Sequence, residues 1–162
     1  MISKTPLSLE LRKLNRLYNH SLGVADPDFS KYYSRLAVLE LCGWVEEAMD
    51  EIAWQYPLRA HLPLGPDFDF TRSMIEKNYG FEYRGNFRDM MKPLLGIVVL
   101  SRIERRMNPV IKQSLEAALS NLKPERNEHA HRPLHKATMF TAPSVCLSLL
   151  PDIHKGLAEF ES

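Results

Sequence analysis

The sequence predicts an all-α, up-and-down helical bundle of about five or six helices, built as one domain. Three observations carry that expectation. Apolar residues recur at three- and four-residue spacing through most of the 162 residues, the period of helices with one buried face. Prolines stand where those stretches begin or end, at Pro57, Pro109, Pro124, Pro133 and Pro143. Nothing alternates apolar and polar residues as a half-buried strand would, and there is no internal repeat or low-complexity tract.

Leu7, Leu11, Leu14, Tyr18 and Leu22 set the rhythm of a first helix. Asp26-Pro27-Asp28 supplies a turn and a cap. A long second helix follows from about Phe29 to Tyr56, with Tyr33, Leu36, Ala37, Leu39, Leu41, Val45, Ala48, Met49 and Ile52 in a broad stripe, and Pro57 stops it. Its length suits the spine of a bundle. Residues 57–85 form a loop-rich insertion. Within it, Asp69 or Thr71 caps a short helix through Lys77, and Gly80 to Gly85 makes a second break. Asn86 to Met107 is expected as one long helix. Gly96 inside it costs about 1 kcal/mol relative to alanine, for which a close helix crossing is the expected reason. Pro109 opens a helix through Leu122, Pro124 opens another, Pro133 ends that one, and Pro143 begins a last helix through Phe160.

Bulk properties narrow the classes of function. Net charge is +1, so any nucleic-acid binding must come from a local patch rather than a basic coat. Cys42 and Cys146 have no metal-ligand spacing and fit reduced, buried thiols of a cytoplasmic protein. The first ten residues lack the apolar core of a signal peptide. The apolar patch Ile97–Leu100, ended by Arg102, is too short to span a bilayer, so no membrane association is expected.

The densest chemistry lies in Arg126-Asn127-Glu128-His129-Ala130-His131. Asn127 and His131 are four apart and share a helix face. Arg126 lies about 140° from His131 around the helix at ~100° per residue, so its arm must reach round or meet the site of a partner subunit. An imidazole titrates near neutrality and moves protons. A guanidinium stays charged and grips a phosphate through a planar fork. RNA brings its own nucleophile, the 2′-OH. Proton transfer by His131, a phosphate clamp from Arg126 and orientation by Asn127 would therefore suffice without a metal or other cofactor.

The same stretch resembles the Arg-x4–6-His signature of HEPN domains. Leu39-Glu40-Leu41-Cys42-Gly43-Trp44-Val45-Glu46-Glu47-Ala48-Met49-Asp50-Glu51-Ile52 resembles the long second helix of the RiboL-PSP-HEPN-like subgroup, and the order of elements over residues 8 to 160 is similar too. The resemblance implies a metal-independent endoribonuclease with Arg126, Asn127 and His131 as catalytic residues, cleaving RNA to a 2′,3′-cyclic phosphate in a prokaryotic defence or toxin-like system. It implies a homodimer with a composite active site, and leaves room for an inhibitor or operon partner protein. Tyrosine adenylylation two residues after the motif histidine, known in some members, has no counterpart here because that residue is Pro133. The alternative is a non-catalytic HEPN module binding a protein or nucleotide. A helical regulator that binds nucleic acid without cutting it is a third class.

The remaining candidates are weighed against plainer roles. Arg102, Arg105, Arg106 and Lys112, with Lys123, Arg126, Arg132 and Lys136, could line an RNA groove or form solvated helix faces. Tyr79, Phe81, Tyr83 and Phe87 could stack on bases, although packing of a loop on the bundle is the favoured reading. His129, His131 and His135 are too poorly arranged around Pro133 for zinc, and His129 and His135 are expected at the surface. Glu128 and Arg132 form a surface ion pair. Glu46, Glu47, Asp50 and Glu51 read as a solvated face, and Trp44 and Trp54 as core or interface anchors.

Overall fold

Seven α-helices and no strand make up the described part of the chain, α1 (Thr5–Leu22), α2 (Asp28–Arg59), α3 (Pro66–Glu76), α4 (Arg88–Leu95), α5 (Ile97–Arg106), α6 (Pro109–His131) and α7 (Pro143–Ala158). The computed structural model describes residues 2–23, 28–59, 65–137 and 140–161. Residues 26 and 27 of the expected turn and residues 60–64 of the expected loop lie outside them. None of the described helices is long and apolar enough to cross a membrane.

Helices α1, α2, α6 and α7 pack on one another as the central bundle. Their directions alternate. The start of α1 lies against the middle of α2, where Trp44 Nε1 donates to the Ser3 carbonyl at 3.4 Å. α7 runs alongside α2, with Trp44 stacked on His154 at 6.2 Å and the Tyr56 hydroxyl donating to the Phe160 carbonyl at 2.7 Å. α6 opposes α7 in a close crossing, where a Cβ on Gly156 would stand 2.5 Å from Leu115 Cβ. Leu11, Leu41, Met49, Ile52, Leu115, Leu119, Leu122 and Leu150 fill the space between them. Helices α3 and α4 cover part of α2, and α5 leans on α4.

Several prolines behave differently from expectation. Pro57 falls within α2, which continues to Arg59. Pro124 does not open a helix; it sits inside α6, a single helix from Pro109 to His131. A helical proline forfeits the bond to the carbonyl four residues earlier. Here that residue, Ser120, is exposed, so water can satisfy the freed oxygen. Helix α3 starts at Pro66, a residue suited to a first turn, and neither Asp69 nor Thr71 caps it. Thr71 instead donates its hydroxyl to the Asp67 carbonyl at 2.9 Å.

The long helix expected over 86–107 is two helices preceded by a π-turn at Tyr83–Phe87. Gly96 separates them with φ of +75°, and no atom lies within 4 Å of where its Cβ would be. The left-handed backbone, and no close crossing, therefore accounts for this glycine. Leu22, placed on the apolar face of the first helix by its spacing, is exposed.

Helix α5 is tied to the body through one carboxylate. Glu104 accepts from Tyr83 Oη at 3.0 Å and from Arg88 Nε at 2.9 Å, and Lys112 Nζ lies 3.6 Å away. Burial alone would raise its pKa. The hydrogen bonds from Arg88 and Tyr83 and the charges of Lys112 and Arg88 outweigh it and hold the carboxyl below its usual range. Asn108 caps α6, accepting from Val110 N at 2.9 Å.

Candidate functional site

The C-terminal half of α6 forms one wall of a cleft of about 300 Å³, lined by Lys123, Arg126 and Asn127. The other wall is the 79–86 segment, which the sequence places in a glycine-rich break. Asn86 organises it. Its Oδ1 accepts from Glu82 N at 3.1 Å and its Nδ2 donates to the Tyr79 carbonyl at 3.1 Å. Gly80 completes the turn with φ of +121°, and a Cβ there would lie 3.2 Å from Asn86 Oδ1. The backbone favours glycine, and the close approach of Asn86 adds to it. Asn86 and Gly80 were absent from the expected site residues. An asparagine six residues after a glycine is their only trace in the sequence.

Both cations of the cleft face carboxylates. Arg126, one-third exposed, has Nη2 3.5 Å from Glu46 Oε1 on α2, and Lys123 Nζ lies 2.6 Å from Glu82 Oε2 on the opposite wall. Glu46 is thus part of the site and not merely a solvated face. A phosphate entering the cleft would compete with those carboxylates for the same donors. Beside Glu46, Asp50 is partly buried; burial, then the charges of Glu46 and Glu47, push its pKa up to about 6.

Asn127 and His131 are both exposed on α6. Asn127 faces the cleft, while His131 occupies the last position of the helix, a turn beyond the cleft lining. The arginine and the amide therefore share one cleft, and the imidazole stands outside its lining. Arg126 turns toward α2 rather than round to His131, as the helical angle requires.

His129 departs from expectation. It is fully buried and not at the surface. Its ring lies 6.0 Å from Phe140, and Nε2 is 3.7 Å from Glu125 Oε2. Among the described residues, neither ring nitrogen nor Glu125 Oε2 has a hydrogen-bond partner. Burial lowers the pKa of His129 more strongly than the charges of Glu125 and Glu128 raise it, with Arg35 adding to the lowering. Cys42 and Cys146 are buried free thiols, as their apolar settings predict. Burial first, then the charge of Glu125, raises Cys146 to about 12, so it is a protonated core residue near neutrality.

The expected basic groove divides into separate places. Arg102, Arg105 and Arg106 line a different groove with Ile97, Val98 and Ser101. Lys112 is engaged with Glu104 and lies 5.6 Å over the Tyr83 ring. Arg132 pairs with Glu128 at 3.0 Å, in agreement with the spacing, although Glu128 is largely buried. Lys136 and His135 are exposed in a short 3-10 turn after the helix. Of the four aromatics, Phe81, Tyr83 and Phe87 are buried and Tyr79 is 84% exposed at the cleft. Trp44 is a core residue. Trp54 is half-buried against Phe68, 4.9 Å between ring centres. Among the described residues no group of three or more His, Cys, Asp or Glu side chains is arranged to hold a metal ion.

No family model, curated protein or solved structure matches the chain.

Proposed function

We propose that this protein is a metal-independent endoribonuclease of the HEPN type, acting on RNA through attack of the 2′-OH. The observation that supports the reading most is the cleft beside α6, where Lys123, Arg126 and Asn127 converge one turn before an exposed His131. In this reading a scissile phosphate displaces Glu46 from Arg126 and takes the guanidinium fork. Asn127 orients the phosphate from the same wall. His131 takes the 2′ proton or protonates the leaving 5′ oxygen. RNA crosses from Lys123 along the end of α6 toward Arg132 and Lys136, and Tyr79 offers an exposed ring on which a base can stack. The α5 arginines sit in a groove of their own and form no part of this path. A homodimer with a composite site brings Arg126 of one subunit to face His131 of the other, and the setting is a prokaryotic defence or toxin-like system with its own inhibitor protein.

One observation favours a second reading. His131 is outside the cleft lining, whereas the cleft has cations and amides suited to a phosphate. A non-catalytic HEPN module binding a nucleotide would use Lys123, Arg126 and Asn127 and have no need of His131.

Incubation of the purified protein with mixed RNA in excess EDTA separates the two. Nuclease action predicts cleavage by the wild type, with 2′,3′-cyclic phosphate ends, and a loss of at least ~10²-fold in His131→Ala while circular dichroism stays unchanged. Cleavage that survives His131→Ala, or that disappears with EDTA, would sink the mechanism. Nucleotide binding that depends on Arg126 but not His131, without cleavage, would establish the second reading.

A further inference from the structure

Two features of the surface have no use in the site just described, and they complement each other. The first is the outer face of α5. Ile97, Val98, Ser101, Arg102, Arg105 and Arg106 line one groove on it, spaced so that they form a continuous stripe along the helix. The stripe is apolar at its start and cationic at its end. Ile97 is 52% and Val98 68% exposed. Nucleic acid would engage the arginines but has no use for two exposed β-branched side chains, which do not stack on bases.

The second feature is a groove of about 500 Å³ between α1 and α2. Its floor is apolar, from Leu7, Leu39 and Trp44, and its rim carries Glu10, Glu40 and Glu47. Gly43 opens the middle of it. This glycine lies inside α2, where glycine costs about 1 kcal/mol relative to alanine, yet no atom lies within 4 Å of where its Cβ would be. Nothing among the described residues requires a glycine there. The space it leaves is part of the groove.

We propose that α5 of one copy seats in the α1/α2 groove of a second copy, with Ile97 and Val98 over Gly43 and Trp44 and the arginines beyond them toward Glu40 and Glu10. The alternative pairing of α5 with itself sets the arginines against Ile97 and Val98 or against one another and leaves them without a counter-charge. The pairing of groove with groove brings glutamate against glutamate. Only the crossed contact matches both the apolar and the charged parts. Because each copy carries both surfaces, the contact either closes reciprocally into a dimer or runs head to tail. The inference does not depend on the nuclease reading.

Sedimentation velocity on the full chain tests it, with three variants. Wild type should self-associate, more weakly in high salt. Reversal of α5 (Arg102→Glu, Arg105→Glu, Arg106→Glu) and reversal of the groove (Glu10→Arg, Glu40→Arg, Glu47→Arg) should each weaken self-association by at least ~10-fold. An equimolar mixture of the two reversed proteins should recover a complex, because acidic α5 then meets a basic groove. Gly43→Leu should plug the groove and weaken association without lowering Tm. A monomeric wild type at ~0.1 mM would overturn the proposal. So would association that neither reversal weakens, or reversed proteins that fail to recognise each other while both remain folded. Binding of α5 to anionic vesicles by a monomeric wild type would assign the face to lipid instead.

Discussion

His129 carries the sharpest consequence at the scale of single residues. Its ring is fully buried, with neither nitrogen hydrogen-bonded among the described residues, so it costs stability as an unpaired polar group. Its folded pKa lies below the unfolded value. The unfolded chain therefore takes up a proton at this residue while the folded chain resists it. The stability concerned is present above the unfolded value of about 6.5 and is lost as pH falls below it. His129→Leu should raise stability at neutral pH by roughly 1 kcal/mol and flatten the decline below about pH 6.5. Denaturant titrations across that range measure both, and a variant with an unchanged pH slope would contradict the assignment. The sequence carried a signal for this burial. Leu115, Leu119, Leu122 and His129 continue one helical face, but reading Pro124 as a helix start resets the phase and turns His129 outward. The Arg126–Glu46 pair carried no such signal, because its partners are eighty residues apart and on different helices.

At the scale of elements, the glycines separate two physical reasons for the same residue. Gly156 lies on α7, where a Cβ would meet three Leu115 side-chain carbons at 2.5 to 2.9 Å. Gly156→Ala should push α7 from α6 and destabilise the fold by about 1–3 kcal/mol, with partial recovery in the double variant Gly156→Ala/Leu115→Ala. Gly96→Ala meets no atom but must hold φ near +75°. It should cost only about 1 kcal/mol, and Leu115→Ala should not relieve it. Thermal melts distinguish the pairs: equal rescue of both variants would show that one mechanism had been misassigned. Helix content and most apolar faces were legible, because burial imposes the three-four spacing on the sequence. Boundaries at Pro57, Pro66 and Pro124 were not. A proline such as Pro124, whose lost bond faces solvent at Ser120, is tolerated inside a helix, and which face that is depends on packing. The π-turn and the Gly96 break escaped for a similar reason: the apolar rhythm continues through both, while the backbone is decided by Asn86, Glu104 and a positive φ.

At the scale of the whole molecule, the placement of Arg126 and His131 bears on how many chains make one active site. Arg126 points toward α2 and meets Glu46, while His131 stands exposed at the end of α6. If a site takes its arginine from one subunit and its histidine from the other, two inactive variants should complement. Arg126→Gln retains a donor for Glu46 and loses the charge, and His131→Ala removes the imidazole; each homodimer then has no complete site. Mixed at equal concentration and allowed to exchange, half of the dimers are heterodimers, and each of these has one intact site and one doubly altered site. RNA cleavage should recover to about a quarter of the wild-type level. Sites built within one chain give no recovery in this mixture, since every chain lacks one of the two groups. The double variant in a single chain, mixed with wild type, supplies the converse: a composite site loses activity in every heterodimer, whereas a within-chain site leaves each wild-type chain active. The two mixtures together decide the composition of the site independently of how α5 and the α1/α2 groove associate, because none of the altered residues lies on either of those surfaces.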